Sequence, residues 1–208
     1  MLNFLKSFSV SSLTGNPAFI AAAVGLGLYL VCLILFFRHK KPSQNFCLAL
    51  LFMYMAVIAY LAVPVALPNQ WHISAKSTAH AIRSIEWVPF TSSSSLLKNA
   101  VKSGNYKAFL YIIGGNFGVL MPLGILLPLS NPRFRLGRMA AVAILVPVGI
   151  EGLQLVYNIL VGSVVRYVQV EDVILNAAGC LLAYLVFTGL RRLFRSKSKS
   201  RRKPKRAS

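Results

Sequence analysis

The most regular feature of the chain is a series of five long apolar stretches separated by polar segments. They cover residues 18–37, 46–67, 108–129, 139–161 and 173–190. A helix needs about 20 apolar residues to cross the hydrocarbon core of a bilayer, and each stretch approaches that length. The pattern therefore predicts an all-α, polytopic bundle of about five transmembrane helices. Basic residues follow the first stretch where a signal peptide would have its cleavage site, which favours a retained helix over a cleaved signal.

The composition supports this interpretation and excludes two other classes of protein. The 208 residues include 23 Lys or Arg and only 4 Asp or Glu, for a formal net charge of +19, yet 56% of them are hydrophobic. A disordered basic protein would be poor in large apolar side chains. The 3 cysteines are too few for a secreted scaffold held by disulfides. A membrane protein with basic loops and a basic tail remains.

Basic residues also predict the orientation and the division of the chain. Ten Lys or Arg lie in residues 191–206, and basic segments next to spans favour the cytoplasmic side. The N-terminus is then expected outside and the C-terminus inside. Four regions follow: two N-terminal transmembrane helices with a short cytoplasmic loop (1–67), an extracytoplasmic loop (68–107), a three-helix core (108–190) and a basic cytoplasmic tail (191–208).

The basic tail is expected to meet the membrane surface. Residues 191–206 are predicted to bind anionic lipids of the inner leaflet, at up to about 1 kcal/mol per base. A topology anchor with no specific partner explains the same composition. Nucleic acid is not an expected partner, because the segment is short and tethered at the bilayer.

In this topology none of the four acidic residues is cytoplasmic. Glu86 falls in the extracytoplasmic loop, and Glu171 and Asp172 lie at the outer mouth of the fifth helix. Glu151 lies near or just beyond the middle of the fourth helix. Because Glu151 and Gln154 are three residues apart, both project from the same side of that helix.

The fifth helix carries a second polar stripe. Asp172, Asn176 and Gly179 follow at i, i+4 and i+7, and a glycine there lets another helix approach closely. Asn116 lies roughly 12 Å from the outer end of the third helix. The arginines of the outer loops can reach the same level. The predicted functional cluster comprises Arg83, Asn116, Glu151, Gln154, Arg166, Asp172, Asn176 and Gly179.

A charge at the depth of Glu151 costs about 2.5 to 3.5 kcal/mol on translocon scales. Glu151 must therefore face the bundle interior, pair with Arg83 or Arg166, or be protonated. The alternative for the whole cluster is structural: the polar groups hold the helices together through hydrogen bonds of about 0.6–2 kcal/mol each.

Four short motifs occur in series on these predicted elements. They are Arg83…Pro89-Phe90, Asn116…Pro122-Leu123-Gly124, Glu151-Gly-Leu-Gln154 and Arg166…Asp172…Asn176…Gly179. In this order, over residues 83–190, the sequence resembles the VanZ-like family of small bacterial membrane proteins. The family's motif residues match the eight residues of the predicted cluster. The sequence departs from the family pattern at Glu86, where Asn is usual, and at Gln169, where an acid is usual.

The resemblance implies a multi-pass protein of the bacterial cytoplasmic membrane. It also implies a role in the cell envelope, because the founding member of the family is an accessory resistance factor against glycopeptide antibiotics of the lipid-tailed teicoplanin type. That protein acts without remodelling the peptidoglycan precursor. The resemblance implies no defined reaction and no cofactor.

Three functional hypotheses fit the cluster. The leading one is a non-enzymatic protein that binds an outer-leaflet lipid or amphiphile. The second is a membrane enzyme acting on a lipid-linked substrate, with Glu151 as general base. The third is a proton-coupled carrier, which five spans without an evident inverted repeat make unusual.

No cofactor or metal is expected, because the sequence has no phosphate-binding glycine loop and the pair His72 and His80 has no nearby acid other than Glu86.

The extracytoplasmic loop gives weaker signals. Residues 91–95 are predicted to be a flexible link, followed by a short surface helix over 96–102 with Leu97 and Val101 on one face. Trp71 and Trp87 are typical of an interfacial belt. In the third span, Pro122 together with Gly124 predicts a bend beside the polar cluster.

Overall fold

The computed structural model describes residues 17–62 and 73–200. In this part of the chain the regular structure is helical, and the α-helices are numbered α1 to α8. A π-helical segment, Leu33–Phe37, continues α1. The bounds are Pro17–Cys32 for α1, Pro42–Ala62 for α2, Ala75–Arg83 for α3, Thr91–Ser103 for α4, Lys107–Val119 for α5, Met121–Ser130 for α6, Leu136–Val161 for α7 and Val170–Ser200 for α8.

Within the described residues, five helical segments are long and apolar enough to cross a membrane, which confirms the all-α prediction of five spans. They are Ala18–Phe37, Pro42–Ala62, Lys107–Ser130, Leu136–Val161 and Val170–Phe194. The second begins before the predicted residue 46, and residues 63–67 lie outside the described part. The fifth begins before the predicted residue 173, so Glu171 and Asp172 belong to its first turn. The predicted orientation stays a prediction.

The third span is interrupted at Leu120, as its proline and glycine predict. Leu120 has φ −103° and ψ 4°, which ends α5 and begins α6. Pro122 occupies the first turn of α6, where its missing N–H breaks no intrahelical hydrogen bond. The Leu120 side chain is fully buried. The break therefore lies inside the bundle, one turn beyond Asn116.

The last helix is central to the packing. α8 contacts α5, α6 and α7, while α2 packs against α6 and α7 and α1 packs against α2. Two glycines permit close approach, because a Cβ at Gly124 would overlap the Cys180 carbonyl and a Cβ at Gly179 would overlap the Phe117 carbonyl. Small residues at helix contacts are typical of membrane bundles.

Between the second and third spans, the described residues 73–106 form two helices. α3 begins with a capping box formed by Ser74 and Ser77, and it packs against α7 through the buried Ala81. α3 was not predicted from the sequence. It brings the chain back over the bundle before α4 begins.

The predicted flexible link at 91–95 is wrong, because α4 begins at Thr91. The N-cap residue, Phe90, has a positive φ of 64°, which turns the chain into the helix. The short surface helix predicted over 96–102 lies within α4, and its Leu97 and Val101 are exposed, whereas Ala100 is buried. Of the two buried residues of α4, Ser93 bonds to Glu171 at the start of α8.

Candidate functional site

The four acidic side chains converge near the start of α8. Asp172 lies within electrostatic range of Glu86 and Glu171. Glu151 on α7 lies within range of Asp172. Glu151 and Glu171 are buried. Although the chain has a formal net charge of +19, its four acidic residues lie in one region, near the connection between α7 and α8.

Asp172 is held by two asparagines. Asn116 Nδ2 on α5 donates to Asp172 Oδ1 at 2.5 Å, and Asn176 Nδ2, one turn along α8, donates to the Asp172 carbonyl at 2.7 Å. Asn176 is only 7% exposed, and its Oδ1 has no hydrogen-bond partner in residues 17–62 and 73–200. One turn further, Gly179 lies against the backbone of Phe117. The stripe predicted on α8 therefore faces α5.

Glu151 lies ten residues before the end of α7, about 15 Å along the helix axis. Its Oε2 accepts a hydrogen bond of 3.0 Å from the backbone N–H of Gln169. Gln154, on the same side of α7, is buried, and its side chain makes no hydrogen bond within the described residues. The two residues predicted to share one side of this helix are therefore both buried.

Asn158 is a site residue that the sequence analysis missed. Its Oδ1 accepts from the backbone N–H groups of Val165 at 2.9 Å and Arg166 at 3.3 Å, and its Nδ2 donates to the Arg166 carbonyl at 2.7 Å. These bonds hold the α7–α8 loop, residues 162–169, against the last turns of α7. The loop returns along α7 until Gln169 reaches Glu151. Asn158 continues the stripe of Glu151 at i+7, and extending that spacing would have found it.

The two positions that depart from the family pattern contact each other. Gln169 Nε2 donates to Glu86 Oε2 at 2.9 Å, and the two residues also pair through their backbones in an isolated parallel bridge. Ser92 Oγ donates to the same Glu86 oxygen at 2.6 Å. Compared with the family pattern, the amide and the carboxylate are both present, but they have exchanged positions: the carboxylate is at Glu86 and the amide at Gln169.

A second serine of α4 joins this network. Ser93 Oγ donates to Glu171 Oε1, and both side chains are buried. The first turn of α4 has no side-chain cap of its own, and carboxylates near a helix N-terminus interact favourably with its dipole. Glu86 and Glu171 therefore attach α4 to the start of α8.

The two predicted arginines behave differently. Arg166 is exposed, lies in the α7–α8 loop and acts electrostatically on both Glu151 and Asp172. Arg83 is exposed at the end of α3 and makes no hydrogen bond or ion pair with the rest of the described chain. The structure brings Arg166 to the cluster and gives Arg83 no contact with it.

A cavity of about 140 Å³ lies among these residues. Its polar wall contains six of the eight predicted residues, all but Arg83 and Gly179. Its apolar wall includes three residues of α2, a helix to which the sequence analysis assigned no site residue. The lining residues are Ile58, Leu61, Ala62, Asn116, Val119, Ile150, Glu151, Gln154, Arg166, Asp172 and Asn176.

Two open grooves adjoin the cavity. The larger, about 630 Å³, runs along the exposed face of α5 from Leu110 to Val119 and has Arg166, Gln169 and Asp172 on its other side. The smaller, about 490 Å³, lies along the α7–α8 loop. Arg166 and Asp172 line all three hollows and mark their junction. Among the described residues, no group of three His, Cys, Asp or Glu side chains could hold a metal ion.

Comparison with known proteins gives a family and no individual relative. No curated protein and no solved structure matches the chain. The VanZ/LLP1 family matches residues 46–194, well over half of the chain. The match extends beyond the resemblance seen over 83–190 and includes α2, with its three cavity-lining residues. With this match, and with five helices of its described part long and apolar enough to cross a membrane, the chain is a multi-pass membrane protein that belongs to the VanZ/LLP1 family.

Proposed function

We propose that this protein binds a lipid or another amphiphile of the outer leaflet. The headgroup occupies the cavity between α2, α5, α7 and α8, and the tail follows the larger groove along α5. The protein acts in the cell envelope of a bacterium, in the cytoplasmic membrane. Its basic residues 191–206 bind anionic lipids of the inner leaflet.

The observation that carries this proposal is the continuity of the two hollows. The cavity and the larger groove share Asn116, Val119, Arg166 and Asp172. One end of the combined space is polar and partly enclosed, and the other is an apolar face of a membrane-spanning helix. Ligand sites combine an apolar lining with a few convergent polar groups. An amphiphile has the same division into a polar head and an apolar tail.

The outer leaflet follows from the predicted orientation. The Lys and Arg residues at the basic end of α8 favour a cytoplasmic location for that end, so we expect the cavity at the opposite end to face outward. Family membership extends the proposal to low-level resistance against lipid-tailed glycopeptides of the teicoplanin type, since such a drug is itself an amphiphile.

The groove can be tested with two adjacent glycines of α5. Gly115 lines the groove and Gly114 does not, and a Cβ at either position would meet no atom within 4 Å. Gly115→Leu should fill the groove and reduce the lipid that copurifies with the protein, measured by mass spectrometry of the extract. Gly114→Leu makes the same chemical change outside the groove and should retain the parent's lipid. Equal lipid retention in both variants would contradict the proposal.

The biological role can be tested in a Gram-positive host. The parent protein should protect against teicoplanin and not against vancomycin, and Glu151→Gln at the same membrane level should lose the protection. Equal susceptibility of the host with and without the protein would remove the resistance role.

An enzyme acting on a lipid-linked substrate is the second candidate. Glu151 favours it, because the carboxylate lines the cavity and one of its oxygens is held by the Gln169 N–H. A general base needs this kind of fixed position beside the substrate. Turnover of a lipid by the purified protein, abolished by Glu151→Gln, would favour the enzyme over the binding protein. Uptake into proteoliposomes that depends on a pH gradient would instead favour a proton-coupled carrier.

A further inference from the structure

One residue of the cavity wall, Asn176, has a hydrogen-bond acceptor with no donor among the described residues. Its side chain is fixed by its Nδ2, which donates to the Asp172 carbonyl, so its Oδ1 cannot exchange places with the nitrogen. That Oδ1 is buried. A buried polar atom without a partner costs about 1–3 kcal/mol. Because Asn176 lines the cavity, an occupant that carries a donor can satisfy it.

The charges of the cavity also favour an occupant that carries hydrogen-bond donors. Its lining contains the carboxylates of Glu151 and Asp172, and each has only one oxygen engaged in a hydrogen bond within the described residues. Glu86 and Glu171 add negative charge close to Asp172. A buried anionic site is stabilised by a cation that also donates hydrogen bonds. An ammonium group with N–H donors meets both requirements.

Arg166, the cation of the cavity lining, lies at the entrance and not among these acceptors. Arg166 is exposed and lies at the junction of the cavity with both grooves. A guanidinium in that place suits an anionic group at the entrance, and phosphate is a preferred partner of arginine. The spatial order is therefore acceptors inside, a cation at the entrance and an apolar groove beyond it.

We propose that the cavity selects a primary ammonium joined to a phosphodiester, the headgroup chemistry of phosphatidylethanolamine. The ammonium donates to Asn176 Oδ1 and to the carboxylates of Glu151 and Asp172, and the phosphodiester contacts Arg166. This inference rests on the proposed function and gives its ligand a chemical class. The cavity volume of about 140 Å³ suits a headgroup of few atoms.

The test compares lipids that share their tails and differ in their heads. Delipidated full-length protein in detergent is titrated with dihexanoyl phosphatidylethanolamine, phosphatidylcholine and phosphatidylglycerol, and affinity is measured by native mass spectrometry. Phosphatidylcholine keeps the positive charge and the phosphate but has no N–H donor. We expect phosphatidylethanolamine to bind about tenfold more tightly than the other two, as expected for charge-assisted hydrogen bonds. Equal binding of ethanolamine and choline heads, or tightest binding of the glycerol head, would overturn the inference and leave the proposed function standing.

A soluble probe separates the head from the tail. Glycerophosphoethanolamine carries the same ammonium and phosphodiester without acyl chains. Much weaker binding than the lipid supports a lipid ligand. Binding as tight as the lipid would preserve the headgroup assignment but contradict the tail site along α5. Failure of every probe to bind would overturn both this inference and the proposed function.

Two variants locate the selectivity. Asn176→Leu removes the unpartnered acceptor, and Glu151→Gln removes a charge with little change of shape. Each should reduce the preference for ethanolamine over choline to less than about threefold. Asn45→Leu is the matched control, because Asn45 Oδ1 is also buried without a partner among the described residues, but Asn45 does not line the cavity. If both cavity variants are monodisperse and keep the parent's preference, the inference is wrong.

Discussion

Asn116 on α5 donates a 2.5 Å hydrogen bond to Asp172 at the start of α8, across 56 positions of the chain. The bond joins the third and fifth spans beside the cavity. It also orients the side-chain carboxylate of Asp172. The backbone carbonyl of the same residue accepts a hydrogen bond from Asn176. One side chain of α5 therefore orients one of the two carboxylates that line the cavity.

This bond should be measurable as a coupling energy. Asn116→Ala and Asp172→Ala should each lower the free energy of unfolding in detergent. The decrease in the double variant should be smaller than the sum of the two single decreases. The expected coupling is about 0.6–1.7 kcal/mol, the range for hydrogen bonds between membrane helices. Tyr184→Phe provides the control, because the Tyr184 hydroxyl bonds to the Phe134 carbonyl and shares no partner with Asn116. Additive losses for Asn116 and Asp172 would show that the bond is absent in the membrane.

The exchanged pair Glu86 and Gln169 predicts rescue by a double substitution. Gln169→Glu alone places a second carboxylate against Glu86 and should destabilise the protein, and Glu86→Gln alone removes the charge that Ser92 binds. The double variant restores one amide and one carboxylate. Its thermal midpoint should lie above that of Gln169→Glu and near that of the parent. A double variant less stable than both single variants would contradict this pairing.

Asn158 should control the accessibility of the α7–α8 loop. Asn158→Leu removes three hydrogen bonds to the backbone of Val165 and Arg166, and leaves those backbone groups without their partners. Limited trypsin digestion should then cut after Arg166 several times faster than in the parent. Leu153→Ala, an exposed position on the same helix, should leave the rate unchanged. Unchanged cleavage in Asn158→Leu would mean that the loop is held by other contacts.

Two glycines of α8 give opposite expectations for the same change. A Cβ at Gly179 would overlap the Phe117 backbone, whereas a Cβ at Gly189 would meet nothing within 4 Å. Gly179→Ala should therefore lower the free energy of unfolding by about 1–3 kcal/mol, the usual cost of overpacking. Gly189→Ala should be neutral or slightly stabilising, because alanine favours a helix. Similar thermal midpoints for the two variants would refute the close contact of α5 and α8.

The orientation of the bundle can be tested by cysteine labelling in a background free of native cysteine. Lys98→Cys on α4 should react with a membrane-impermeant maleimide in intact cells. Arg133→Cys, between α6 and α7, should react only after permeabilisation. The reverse pattern would move the cavity to the inner leaflet and exclude the proposed outer-leaflet ligand.

The spans and most of the cluster could be predicted because their signals are local. Apolar length defines a span, and the spacings of Glu151 with Gln154 and of Asp172 with Asn176 place them on common faces. Asn158 was missed although it continues the stripe of Glu151. The amide reads as an ordinary polar residue near a helix end until the returning loop supplies its partners.

Other parts of the site depend on distant contacts and gave no local signal. Ile58 and Leu61 of α2 look the same in the sequence whether they face lipid or a cavity. The serines at 91–95 resemble a linker, but Ser93 pairs with Glu171, 78 positions away. Arg83 was expected near the acids because a long side chain can reach far, and the path of α3 leaves it exposed.

The returning α7–α8 loop has a consequence for insertion of the protein into the membrane. Glu151 and Asn158 find their partners only 18 and 8 positions ahead, in the loop that joins the last two spans. A helical hairpin of α7 and α8 therefore contains the partners of both groups, and no earlier helix is needed to supply these hydrogen bonds. Asn116, in contrast, finds its partner Asp172 only after α8 has been synthesised. We therefore expect the polar cluster to close when this hairpin docks against α5.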